Sequence, residues 1–464
     1  MSSTLDIGRV LDDGPFTGLQ KMVIFMAAMA IVLDGFDGQM IGFAIPLIIK
    51  EWGITKAAFA PAVASGLVGM AVGMAVAGIA ADRIGRRLVL AASVLLFGAA
   101  TVAIGFSPDV MTIIALRFVA GLGIGGALPS ASTMTAEFAP ARIRTMAVTI
   151  TIVCFPLGGM LAGLFAGLVL PMYGWRGLFW IGGAIPVLFS LAMFARLPES
   201  PRFLAHHRAR WAELVALLAR MGRATPPGTV FSDAAEQAAG DKARVAANKA
   251  ANKAGFGALF QGGLARDTLA LCTAFFMVVL ALYTAFSWLP SMLAAEGVPV
   301  ALASQGLTAY NLGGVIGSLL CAVFIARFGS RWPITLACLA AALSAFAMSN
   351  MRVADNVAWL IFGFGVHGMF VNAAQVSLYA LCAYVYQTSV RATGTATALA
   401  VGRGGGILSA FIGAAVITSG GASGFLGLLA ATMLLAAVAV FAVRRHIPGL
   451  ARRGVAATSV MTSH

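Results

Sequence analysis

Four charged side chains stand inside stretches that are otherwise apolar: Asp34 and Asp37 in LDGFDGQMIGFAIPLI, Arg117 in LRFVAGLGIGGALP and Arg403 in LAVGRGGGILS. Each costs roughly 2.5–3.5 kcal/mol to place at the centre of a lipid-embedded helix, so by default they mark a functional site. The two aspartates are three residues apart, on one helical face and about 4.5 Å apart along the axis. Carboxylates that close resist simultaneous ionisation in a low dielectric, the condition under which one of them takes up and releases a proton. A guanidinium grips a carboxylate through two parallel hydrogen bonds that lysine does not reproduce. Two acids and two bases nearly neutralise one another, so an anionic ligand arriving with a proton leaves the charge balance unchanged. The static alternative is that both aspartates pair with arginines and fix helix packing, Arg117 with a first-helix aspartate among them. Arg403 is flanked by Gly402, Gly404, Gly405 and Gly406, which leave room around it, and is read as a contact for a substrate carboxylate.

Uncharged polar groups and rings extend the candidate set. His367 lies in FGFGVHGMFVNAAQ, where an imidazole can relay a proton, bond a substrate hydroxyl, or simply pack. Asn372 and Gln375 follow it three apart, and Tyr310 and Asn311 open a polar set elsewhere. Tyr283, Phe286 and Trp288 offer a wall to a ring, or face core or lipid. The substrate-binding candidates are thus Arg117, Arg403, Tyr283, Asn311, His367 and Gln375. Other chemistries find no residues. GLGIGG and GRGGG follow no strand and no Walker lysine accompanies them, HExxH and GxSxG are absent, and the five cysteines have no CxxC spacing. Neither an enzyme nor a nucleotide, metal or other cofactor is expected, and any uphill work must draw on an ion gradient.

The elements that carry these residues are membrane helices. Only 10% of the 464 residues are charged and 60% are apolar, against about 25% charged in soluble domains, so most of the surface faces lipid. A β-barrel is excluded because the apolar stretches are continuous, without two-residue alternation. Spans are predicted at 22–48, 58–81, 88–106, 110–135, 145–170 and 177–195, then at 268–293, 303–326, 332–350, 356–384, 391–418 and 423–443. The segments are therefore 1–21 (N-terminal), 22–195 (six helices), 196–266 (central loop), 267–444 (six helices) and 445–464 (tail). PESPRFLAHHRARWAELVALLARMG in the central loop has the pattern of a basic amphipathic helix in a solvated connector. Of 31 Lys and Arg, 25 fall on the side of the termini and central loop and 4 on the other. Cations accumulate on the cytoplasmic side, which places both termini there and accounts for the +14 net charge without nucleic acid. The first 20 residues carry Asp6, Asp12 and Asp13 and no cleavable apolar run, so the first helix directs insertion.

The halves repeat. At an offset of 244, GIAADRIGRR (78–87) falls on AVFIARFGSR (322–331), and Pro46 on Pro290; at 247, IRTMAVTITIVCFPLGG from Ile143 falls on VRATGTATALAVGRGGG from Val390. Parallel repeats of this kind build transporters whose two bundles enclose a midplane site. The GIAADRIGRR string resembles the signature loop of the major facilitator superfamily, RFVAGLGIGGALPSASTMTAEFAPARIR (117–144) its fourth helix and following loop, and PESPRFL (198–204) the end of its sixth helix. Within the superfamily, DGFDGQMIGFAIPLI (34–48), the preceding LDIGRVLDDGPFTGLQ and SVRATGTATALAVGRGGGILSA (389–410) resemble the aromatic acid:proton symporter family, with departures at Gln387, Ser409 and Ala410.

That resemblance implies an all-α major facilitator fold of twelve helices in two pseudo-symmetric bundles. It implies an inner-membrane transporter that imports a small aromatic carboxylate, of the benzoate or hydroxybenzoate class, with protons by alternating access. Asp34 and Asp37 would couple protons. Asp82 is expected to face a neighbouring helix N-terminus. Glu137 and Glu199, with Asp82, Arg83, Arg87, Arg144 and Arg391, are expected to form a gating network, or else static pairs. Ala326 stands where the second loop would carry the counterpart of Asp82, so the lock should be asymmetric. The alternatives are a proton-coupled transporter of another organic anion, a sugar or a drug, or a non-transporting membrane receptor for aromatic acids.

Overall fold

Ten helices of the computed structural model, which describes residues 4–223, 225–226, 228–232, 256–261, 264–353, 356–386 and 390–449, are long and apolar enough to cross a bilayer. A short strand β1 (Thr4–Asp6) and helix α1 (Ile7–Asp13) lead into α2 (Gly18–Trp52), α3 (Lys56–Ile84), α4 (Arg86–Ile104), α5 (Val110–Phe138) and α6 (Ala141–Arg196). After α7 (Pro201–His206), α8 (Trp211–Arg220) and strand β2 (Val230–Ser232) come α9 (Leu264–Ala295), α10 (Val300–Phe328), α11 (Arg331–Ser349), α12 (Val357–Val385) and α13 (Arg391–Ala442).

Two of these helices hold two crossings each. At 1.5 Å per residue, the 56 residues of α6 and the 52 of α13 would run to about 80 Å, far beyond a hydrocarbon core of about 30 Å. Each is broken once, at Gly174 (φ 62°) and at Gly421 (φ 56°), a backbone conformation that glycine adopts without a steric penalty. Among the described residues there are therefore twelve membrane-length helical segments, with the breaks falling in the gaps predicted at 171–176 and 419–422. Large apolar side chains such as Leu168, Met172, Phe106 and Trp359 are about 70% exposed, as lipid-facing residues must be.

The repeat is written in the backbone as well. Gly53 and Gly297, and Gly85 and Gly329, share positive φ at the offset of 244, and Gly174 and Gly421 share it at 247. Glu51, near the end of α2, accepts the Trp175 indole N–H at 2.6 Å beside the first break, and Glu296, just past α9, accepts the Ala422 amide at 3.0 Å beside the second.

Two compact units emerge: residues 1–38, 68–158 and 179–247, and residues 39–67, 159–178 and 248–464. In the first, Phe97, Ile124, Phe138, Phe203 and Leu214 share a core that reaches from membrane helices into the segment after α6. That segment is more than the solvated connector predicted. Ser200 caps α7 through the Phe203 amide at 3.2 Å, α8 turns Leu214, Leu217 and Leu218 inward, and β2 pairs in parallel with β1, Thr4 opposite Val230. Its apolar residues give it something to bury, and Ile7 and Leu11 of α1 are buried with them. Residues 233–255, Gln387 and the tail beyond Gly449 lie outside the described residues. In the second unit the segments of residues 39–67 and 159–178 join α9 to α13.

Candidate functional site

Asp34 and Asp37 are buried on α2. The helix is held against α6 at backbone distance, because Gly35 lies on the Phe155 carbonyl and Gly158 on the Val32 carbonyl, positions that a Cβ would fill. Small residues permit such an approach in lipid, and it sets the phase of both carboxylates. Asp37, with no exposed surface, stands beside Arg117 of α5 and Thr101 of α4, both also buried. The Arg117 and Asp37 charges act on each other, though the ion pairs among the described residues do not include this one. Their surroundings exclude water, so each charge depends on the other for compensation.

In the second unit, Arg403 of α13 donates to the Tyr283 hydroxyl of α9 at 3.1 Å. The neighbouring glycines serve closeness more than vacancy: Gly405 lies against the Phe276 carbonyl, and Gly406 against the Tyr283 ring. From Tyr283 a row of rings runs edge to face through Phe286 to Tyr310, at 5.8 Å for each step, and on to His367 at 5.9 Å. His367 is fully buried, its Nδ1 toward the Ala341 carbonyl at 3.0 Å and the Ser344 hydroxyl at 3.2 Å. Asn311 forms a reciprocal amide pair with Gln39, at 2.7 and 3.0 Å. Gln375, half-buried, donates to the Tyr379 hydroxyl at 3.3 Å. Trp288 departs from the aromatic wall expected of it: it is a core residue packed on Gly413. Gln39 and Thr101 join the candidates only through their partners, although an amide within a membrane helix must find one, which is a usable signal for Gln39.

A family profile described as Major Facilitator Superfamily matches residues 27–304 and 271–459. The chain belongs to that superfamily. This facilitator is a transporter rather than an enzyme, and an all-helical multi-pass membrane protein. It is 30% identical to the gallate transporter of Pseudomonas putida over 90% of each chain. It is 31% identical to the 4-hydroxybenzoate transporter PcaK of Acinetobacter baylyi over 95% of its own length and 94% of the relative's. The inward open xylose transporter XylE from E. coli has the same fold, with a TM-score of 0.70 at 19% identity, over 92% of this chain and 97% of that one.

The facilitator's loop between α3 and α4 is tied to the segment after α6, and the pattern of ties corrects the expected network. Glu199, not Asp82, takes the start of α4, accepting the Arg86 amide at 2.9 Å and the Arg87 amide at 3.1 Å. An anion there meets the positive end of the helix dipole, and Gly85 has no side chain to cap with. Asp82 is exposed and pairs with Arg86 at 3.0 Å. Arg86, not Arg83 or Arg87, is the hub, since its guanidinium also reaches Glu137 at 3.5 Å. Glu137 in turn accepts from the Ser200 hydroxyl. The Arg87 guanidinium donates to the Phe194 carbonyl at 2.5 Å, and Arg83 is exposed. Arg144 goes elsewhere, to Asp12 at the end of α1, and the Arg391 guanidinium donates to the Tyr386 carbonyl at 3.3 Å. Gly85 has φ 104°, and a Cβ there would overlap the Glu199 carboxylate. Gly85→Ala is therefore expected to lower unfolding stability by about 1–3 kcal/mol, read as a fall in the thermal midpoint of the purified protein.

Proposed function

We propose that the protein imports a small aromatic carboxylate, of the benzoate or hydroxybenzoate class, together with protons by alternating access across the inner membrane, with both termini in the cytoplasm. The observation that carries this reading is the burial of Asp37 beside Arg117 within membrane helices. A carboxylate kept there at a cost of a few kcal/mol has a use for its charge, and the relatives with about 30% identity are transporters of gallate and 4-hydroxybenzoate. Asp37, with Asp34 on the same face, takes a proton from outside. The substrate carboxylate is gripped by Arg403 or Arg117, and its ring lies against the row from Tyr283 to His367, where Asn311 and Gln375 supply hydrogen bonds. With substrate and proton bound, the charges are compensated and the two bundles can exchange access; loss of the proton to the cytoplasm resets the site. The tie of Arg86 and Glu199 between the α3–α4 loop and the segment after α6 forms and breaks in that cycle.

The test is uptake of labelled 4-hydroxybenzoate into proteoliposomes with and without an inward proton gradient. Accumulation is expected to rise at least about tenfold with the gradient and to collapse with a protonophore, since each pH unit contributes about 1.4 kcal/mol per proton. Uptake that ignores the gradient refutes the coupling, and the absence of any exchange of aromatic acids refutes the substrate class.

A further inference from the structure

The ion-pair network of the first half has a counterpart position in the second, and every carboxylate is missing from it. The helix ends Phe138 and Val385, and the breaks Gly174 and Gly421, fix the offset at 247. On that register Glu137 corresponds to Tyr384, Glu199 to His446 and Arg144 to Arg391, while the 244 offset sets Asp82 against Ala326. The structural roles agree with the register. Glu199 holds the start of α4 through backbone amides; His446 and Ile447 hold the start of α11, the imidazole Nδ1 lying 3.2 Å from the Ser330 hydroxyl and the Ile447 carbonyl accepting the Ser330 amide at 2.9 Å.

The cations are rearranged rather than kept: the hub Arg86 becomes Ser330 and Arg144 remains Arg391, while Arg444 and Arg445 stand where the first half has Leu197 and Pro198. Tyr384, Tyr386, Arg391, Arg444, Arg445 and His446 line a cleft of about 550 Å³. Among the described residues no ion pair engages Arg391, Arg444 or Arg445. Asp267 nearby is buried and is occupied by the Arg444 backbone amide at 2.7 Å. Burial holds the His446 imidazole below its ordinary value, and with its nitrogens on Ser330 and Val443 it is a structural ring of the cleft wall.

We infer that this cleft binds a phosphate-bearing anion, which supplies Arg391, Arg444 and Arg445 with the counter-charge that no carboxylate among the described residues gives them. Guanidinium forks suit the oxygens of a phosphate, and the hydroxyls of two tyrosines add neutral hydrogen-bonding groups. The cleft opens where α12 and α13 leave the membrane, beside the exposed rings of Trp332 and Phe441. That chemistry is shared by free phosphate and by the headgroup of an anionic phospholipid, and basic pockets at helix ends are where such headgroups settle.

Thermal unfolding of the purified full-length protein in phosphatidylcholine nanodiscs tests this. One arm adds inorganic phosphate against chloride at matched ionic strength, and the other replaces part of the lipid with phosphatidylglycerol. A midpoint raised by about 3 °C or more in the phosphate arm identifies a soluble anion, and a rise in the phosphatidylglycerol arm alone a headgroup; either supports the site. The triple variant R391Q/R444Q/R445Q should lose the response. Tyr384→Glu restores the first half's carboxylate without removing a cation, and should also abolish the response while keeping the unliganded midpoint at or above that of the wild type. No shift in either arm, or an undiminished shift in both variants, overturns the inference.

Discussion

Asp37→Asn is expected to cut proton-driven accumulation of the aromatic acid at least about tenfold, to the level reached without a gradient, while substrate exchange between the two sides of the membrane persists. Asparagine keeps the volume and a hydrogen-bonding end but has no proton to give up, so the substitution removes titration without opening a cavity. It also takes a buried negative charge from beside Arg117, and leaving a buried charge less compensated is destabilising even where the two groups form no direct ion pair. A fall in stability should therefore accompany the uncoupling. The double variant Asp37→Asn with Arg117→Gln separates the two effects, because both charges then leave together: its thermal midpoint should recover, and its coupling should not. If Asp37→Asn accumulates substrate as the wild type does, Asp37 is not the proton carrier.

Arg403→Lys should raise the half-saturating substrate concentration about 10- to 100-fold with the charge retained. What lysine lacks is the planar fork, and a hydrogen bond to a charged group contributes about 1.5–3 kcal/mol, each 1.4 kcal/mol being a factor of ten in affinity. Lysine also cannot hold the Tyr283 hydroxyl, now 3.1 Å from the guanidinium, in the same geometry. Tyr283→Phe removes only that hydrogen bond and should cost about 2- to 10-fold. Concentration dependence of initial uptake, with the maximal rate fitted separately, checks both. Equal affinity in Arg403→Lys and wild type would show that the substrate carboxylate is gripped elsewhere.

Much of the fold could be read from composition and periodicity, because a bilayer leaves few solutions. Continuous apolar runs of about 20 residues are helices, and the repeat that aligned Gly85 with Gly329 reappeared as shared backbone geometry. The site was legible where a residue broke a rule by itself: a charge in lipid singled out Asp34, Asp37, Arg117 and Arg403. It was not legible where the deciding fact was a partner. Gln39 acquires its meaning from Asn311, and nothing local to DGFDGQ names that partner. Among Arg83, Arg86 and Arg87 the sequence offers three equal cations, and only the placing of the start of α4 against Asp82 of α3 and Glu137 of α5 makes Arg86 the hub. Asp12 looked like part of an entry segment until α1 packed beneath the α5–α6 turn and brought it to Arg144. Strands of three residues such as β1 and β2 are too short to show any period.

The parallel pairing of Thr4–Asp6 with Val230–Ser232 imposes an order on biosynthesis. Thr4–Asp6, made before any of the membrane helices described, wait for a partner that follows the last helix of the first half. The ladder therefore closes only after the chain of six crossings has been made, and its second strand is complete before the first helix of the second half is synthesised.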